Sequence, residues 1–147
     1  MSDVSKNAPG LGNGETIEQT QSFLPKFGAD GLMPAIVTDL KSGNVLMFAH
    51  MNEEALRKTI ASGFAHFWSR SRSKLWKKGE ESGNLLKVNE VRTDCDQDVV
   101  WIIAEVEGDG VACHTGATSC FYRRIVWGAD DGTTLEHVAL PRPLGHG

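Results

Sequence analysis

The sequence predicts an α+β fold: one domain built on a mainly antiparallel β-sheet with a few short helices. Short apolar runs recur between turn residues. The clearest pair is Ala35-Ile36-Val37-Thr38 and Val45-Leu46-Met47-Phe48-Ala49 around the turn Lys41-Ser42-Gly43-Asn44, a hairpin signal. One stretch carries a full set of helix start and stop signals. The chain of 147 residues, 40% apolar and 23% charged, is long enough for one soluble domain with a sizeable core.

Residues 1–22 hold only Met1, Val4, Leu11 and Ile17 as large apolar groups. Such a segment buries too little surface to offset its ordering entropy, so it reads as a mobile N-terminal tail. The folded domain is expected over 23–127. After the hairpin comes the helix, with Asn52 as N-cap and Glu53 and Glu54 at the positive end of its dipole. Leu56 and Ile60 share a face, Met51 can staple onto Leu56, and Gly63 ends the element. Phe64 to Trp68 reads as a further strand. Leu85–Val91 and Val99–Val106 read as another pair, flanking the polar Thr93–Asp98 stretch. Beyond Trp127 the chain turns to Gly, Asp, Thr and Pro, so 128–147 is expected to be a surface tail. No internal repeat and no interdomain linker is visible.

Composition excludes several classes. No apolar run approaches the roughly 18–20 residues that span a bilayer. The N-terminus lacks the charged start and apolar stretch of a signal peptide, which makes the cytoplasm the expected location. A formal net charge of −4 argues against a general nucleic-acid binder. Three cysteines cannot all pair within one chain, so reduced thiols are expected.

All three thiols fall in two short segments, Asp94-Cys95-Asp96-Gln97-Asp98 and Cys113-His114-Thr115-Gly116-Ala117-Thr118-Ser119-Cys120. Thiolate is a soft ligand suited to zinc. A straight helix would separate positions 113 and 120 by about 10 Å, so one ion could take both sulfurs only if the loop folds back, as Gly116 permits. With no paired Cys-x-x-Cys present, small buried thiols remain an equal reading of the spacing. On an extended segment Asp94, Asp96 and Asp98 face one way and Cys95 the other. Clustered carboxylates suit magnesium. Yet the outer pair on a flat strand would lie about 13 Å apart, so a shared ion requires a bent segment or bridging water. The alternative is a solvated acidic turn.

The third element is basic. From Arg70 to Lys78, five cations occupy nine positions (Arg70, Arg72, Lys74, Lys77, Lys78), in a chain that is acidic overall. Guanidinium forks match phosphate oxygens, Ser69 and Ser71 add donors, and Trp76 can stack on a flat ring. The other reading of such a run is a solvated face. Together with a metal centre, it points to a small, multiply phosphorylated substrate.

In order along the chain, Asn52-Glu53-Glu54-Ala55-Leu56, Phe67-Trp68-Ser69-Arg70-Ser71-Arg72, Leu75-Trp76-Lys77-Lys78-Gly79-Glu80 and Ser82-Gly83-Asn84 resemble the pattern of the phosphoribosyl-AMP cyclohydrolase family. The acidic Asp94–Asp98 segment and Cys113-His114-Thr115-Gly116 with Ser119-Cys120-Phe121 complete that pattern, over about residues 32–125. The resemblance implies the monofunctional form, without the fused pyrophosphohydrolase domain that some relatives carry.

The resemblance implies zinc held by Cys95, Cys113 and Cys120, and magnesium at Asp94, Asp96 and Asp98. It also implies an intertwined homodimer whose zinc ligands come from both subunits. The implied reaction is a step of histidine biosynthesis in which a zinc-activated water adds at C6 of the adenine of phosphoribosyl-AMP and the N1–C6 bond opens. Three thiolates around zinc acidify its water less than neutral ligands would, so a nearby proton acceptor gains value. His114 is the expected base, since an imidazole's ordinary pKa near 6.5 suits proton transfer. Its other reading is a fourth zinc ligand. Ser69, Arg70, Ser71, Arg72, Trp76, Lys78 and Glu80 are the expected substrate contacts, and His50 and His66 are either core or contact residues. Two rivals are a zinc-stabilised binding module and a zinc nucleoside deaminase. The second would show a His-x-Glu element, which does not occur here.

Overall fold

A computed structural model describes residues 10–128 and 132–138. The parts of the expected tails at 1–9, 129–131 and 139–147 lie outside the described residues. Strand β1 (Met33–Asp39) pairs antiparallel with β2 (Val45–Met51) across the expected turn, Val37 opposite Met47 and Ala35 opposite Ala49. Helix α1 (Glu53–Ser62) follows, then β3 (His66–Ser69), β4 (Lys74–Lys77), β5 (Leu86–Thr93) and β6 (Val100–Val106). A separate hairpin, β7 (Arg123–Trp127) with β8 (Thr133–His137), closes the described chain.

The first six strands make one sheet in the order β4-β3-β2-β1-β6-β5. It is mixed, not wholly antiparallel. β1 and β6 run parallel, with Ala35 opposite Val100 and Val37 opposite Ile102, while the other pairings are antiparallel. A parallel neighbour needs a long crossover, and here α1 and the four strands β2 to β5 supply it. The sheet curls until its far parts meet: the Ala65 amide donates to Leu86 O at 3.0 Å and the Val88 amide to Gly63 O at 2.8 Å. Alternate residues of β1 and β6 point into the curl. Met33, Ala35, Val37, Val100, Ile102 and Ala104 are fully buried there with Phe67 and Leu86.

Among the described residues α1 is the one α-helix, where a few were expected. Its ends are as read from sequence. The Asn52 side chain accepts from the Ala55 amide at 2.9 Å, and Gly63 takes the left-handed conformation at φ 78°. Its inner face differs from the expected pair. Leu56 is buried with Ala55 and Thr59, but Ile60 is 57% exposed. Thr59 takes the place of an apolar contact: its hydroxyl donates to Ala55 O at 2.8 Å and accepts from the His66 amide at 2.9 Å, tying α1 to β3.

Ahead of β1 the chain is irregular but fastened. Ile17 is buried, and the Gln97 side chain accepts from the Leu24 amide at 2.6 Å while donating to Ser22 O.

Candidate active site

β3 and β4 pair in register, Trp68 opposite Leu75 and Ser69 opposite Lys74, and the basic run forms the turn between them and β4. Ser73 at the end of that turn adopts φ 48°, and the Ser69 hydroxyl accepts from the Arg72 amide. The expected phosphate-binding residues are thereby gathered at one end of the hairpin. They line a cleft of about 580 Å³. Of the expected contacts, Ser69, Arg70, Ser71, Arg72, Trp76 and Glu80 border it, and so does His114 from a distant loop.

Lys78 does not border the cleft. Its ammonium donates to Ala112 O and its charge falls on Cys113 and Cys120. Trp76 is half-buried, tilted against Phe67 with ring centroids 5.3 Å apart, so much of its surface is committed to the core. Sequence reasoning had no signal for Phe48, and it left His50 open between core and contact. Both sit on β2 and line the same cleft. Their spacing of two on a strand is what places them on one face.

The Cys113–Cys120 loop folds back as the chemistry requires. The Gly116 amide donates to Cys113 O, the Cys113 amide to Ala117 O, and Gly116 sits at φ 93°, where a side chain would be strained. The returning end is pinned to β2: the Cys120 amide donates to Leu46 O at 2.8 Å, and the buried Ser119 hydroxyl to Val45 O at 2.7 Å. The two thiols come within hydrogen-bond reach of each other. Burial raises the Cys113 pKa. The Thr115 hydroxyl (3.1 Å from the sulfur), the Thr115 amide, the Cys120 thiol and Lys78 outweigh it and hold the pKa below the ordinary thiol value. Burial and the neighbouring Cys113 push Cys120 up to about 11. The pair thus favours one thiolate bonded by one thiol. Such a pair suits a soft cation, whose binding would displace the remaining proton.

Cys95 is exposed and is not part of this pair. It stands with Asp94 and Asp96, ligand atoms all within 4.8 Å of one another. The sequence placed Cys95 behind the carboxylates, which holds only for an extended strand. Here the Gln97 amide donates to Asp94 O to close a turn, and Gln97 itself has φ 59°. That bend turns Cys95 to the side of the acids. It also brings the three carboxylates together. Burial raises Asp94, but its hydrogen bonds with Asp96 and Asp98 and those from the Asp98 and Val99 amides hold it below the usual range. Burial, followed by the hydrogen bonds to Asp94 and Asp96 and repulsion from both, raises Asp98. Hard carboxylates packed this closely fit a divalent cation.

His66 is turned away from the cleft, its Nδ1 2.8 Å from Phe64 O. His50 is held low by burial first and then by the charge of Arg70, with Asp30 opposing.

Fold and site together define a small, strand-rich, single-domain protein whose basic, aromatic-walled cleft lies beside a pair of thiols. A family model described as phosphoribosyl-AMP cyclohydrolase matches residues 47–122, which take in every expected site residue from Ser69 to Cys120. A relative named phosphoribosyl-AMP cyclohydrolase in Brucella anthropi is 61% identical over 112 residues, 76% of this chain and 79% of its own length. One of the same name in Brucella canis is 60% identical over 112 residues, covering 76% and 81%. Another, in Brucella abortus strain 2308, is 63% identical over 103 residues, covering 70% and 87%. The chain belongs to the phosphoribosyl-AMP cyclohydrolase family. No helix among the described residues is long and apolar enough to cross a membrane.

Proposed function

We propose that this chain is a cytoplasmic hydrolase of histidine biosynthesis that opens the adenine ring of phosphoribosyl-AMP between N1 and C6. The observation that carries the reading is the convergence of Arg70, Arg72 and His114 on one cleft, with the paired Cys113 and Cys120 next to His114 in sequence. The catalytic unit is residues 23–127, with 1–22 and 128–147 outside the chemistry.

Arg70 and Arg72 bind phosphate oxygens, Ser69 and Ser71 add hydroxyl donors, and Glu80 on the same rim accepts from ribose hydroxyls. His114 removes a proton from the water as its oxygen adds to C6, and the N1–C6 bond then breaks to leave a formimino-linked imidazole carboxamide. Zinc would be held by Cys113 and Cys120 with Cys95 from a second copy, and when bound it supplies Lewis acidity toward water. Magnesium would be held by Asp94, Asp96 and Asp98. The unit is a homodimer. In support, Ile36 and Trp101 expose apolar surface on adjacent strands, and Cys95 stands outside the pair that needs a third sulfur.

Purified protein incubated with phosphoribosyl-AMP tests the reading, with and without a zinc chelator. Turnover that a chelator abolishes and zinc restores is the expected result. Turnover unaffected by metal removal would overturn the metal-dependent part, and no turnover by zinc-loaded protein would overturn the whole.

A further inference from the structure

His50 has no role in the chemistry above, yet its placement is that of a ligand contact. It lies on β2 opposite Trp68 of β3, and its ring meets Phe48 edge to face, centroids 5.1 Å apart at 86°. All three residues border the cleft, as does Arg70, whose charge His50 feels. Among the described residues the His50 ring makes no hydrogen bond to the protein, whereas His66 spends a ring nitrogen on Phe64 O. Phe48 is 49% exposed, an aromatic face open to a flat ring, while Trp76 is packed on Phe67. The base of a nucleotide therefore has its natural seat along Phe48, with the phosphate at the arginines.

We propose that His50 is a substrate-contacting residue whose imidazole hydrogen-bonds the edge of the purine while Phe48 packs on the ring. The proposal rests on the nucleotide-cleft reading given above. One imidazole N–H and one lone pair match the alternating acceptors and donors along a purine edge. Burial and Arg70 keep this ring in the neutral form that offers both. A seat of this kind selects a base; the arginines alone would hold any phosphorylated sugar.

The test uses two probes, AMP and ribose 5-phosphate, titrated by calorimetry against the full chain and three variants. His50→Phe keeps an aromatic ring beside Phe48 but has no hydrogen bond to give, and should weaken AMP about tenfold. It should leave ribose 5-phosphate unchanged. His50→Gln keeps a donor and an acceptor and should restore most of the AMP affinity. Arg70→Ala should weaken both probes. A His50→Phe protein that binds AMP normally, with unchanged melting temperature, would reduce His50 to packing and overturn the proposal. Equal loss of both probes in that variant would do the same, because it would place His50 at the phosphate. If the unaltered chain bound neither probe, the nucleotide-cleft reading itself would fail.

Discussion

The separation of Cys95 from the Cys113–Cys120 pair can be tested by mixing inactive subunits. Cys95→Ala touches an exposed side chain and should cost little stability. Cys113→Ala removes a buried sulfur, a loss of about 1 kcal/mol that leaves the fold intact. Each variant alone should lack zinc and turnover. If zinc draws its ligands from two copies, as proposed, a mixed dimer should behave differently. One site receives Cys95 from the Cys113→Ala subunit and both Cys113 and Cys120 from the other, and is complete. The second site has lost two ligands. Mixed dimers purified through a different tag on each subunit should therefore show about half the zinc and half the activity of the unaltered dimer. Random mixing without selection should give about a quarter, since roughly half the dimers are mixed. The control is a mixture of Cys113→Ala with Cys120→Ala, which leaves neither site complete and should stay inactive. Mixed Cys95/Cys113 dimers as inactive as their parents would show that the three thiols do not combine across subunits.

His114→Ala should keep its zinc and lose about 10²–10⁴-fold in kcat if the imidazole is the proton acceptor; loss of zinc in proportion to activity would make it a ligand instead. Arg72→Ala should raise KM about tenfold with little change in melting temperature, since the side chain is exposed and its proposed phosphate contact is charge-assisted. Gly79→Ala should destabilise by about 2–4 kcal/mol, measured by denaturant unfolding, because a Cβ there would lie 2.2 Å from Asn84 O at φ 82°. The His50 pKa is lowered from its ordinary 6.5, so the folded state disfavours the imidazolium. Its contribution to stability is full above pH 6.5 and is lost as pH falls through the window below it. A melting temperature measured against pH should decline less steeply there in His50→Gln, and an unchanged slope would exclude the effect.

The elements legible from sequence were those whose local signals agreed. The β1–β2 turn, the Asn52 cap and the Gly63 stop are each fixed by residues within a few positions, and each lies where expected. β4 was not legible, because Lys74-Leu75-Trp76-Lys77 reads as part of a charge run; only pairing with β3 makes it a strand. β7 and β8 are exposed along their whole length, and β8 falls in a stretch read as tail, so neither shows the half-buried alternation that marks a strand. The parallel β1–β6 pair joins residues more than sixty positions apart, a relation that no local pattern encodes. At the site, residue types disclosed the chemistry but not the geometry. Cys113 and Cys120 meet only because Ser119 and Cys120 are bonded to β2. The three aspartates meet only because Gln97 accepts a left-handed backbone. That residue is held in turn: its buried side chain takes hydrogen bonds from and gives them to the segment between Ile17 and Leu24.

The charge distribution adds a constraint on what enters the cleft. The chain carries 19 acidic and 15 basic side chains, yet five of the fifteen fall between Arg70 and Lys78. A polyanion approaching elsewhere meets a surface with an acidic excess, whereas the cleft presents Arg70, Arg72, Lys74 and Lys77 together. Long nucleic acid needs an extended basic track to release many counterions at once. A small phosphorylated ligand needs only one local focus of positive potential. Association of such a ligand should slow several-fold between low and physiological salt, because charges on the open rim are screened within about 8 Å. Stopped-flow binding of AMP at two ionic strengths measures this directly. Rates independent of salt would mean that the basic run does not steer the ligand, leaving the arginines only their short-range contacts.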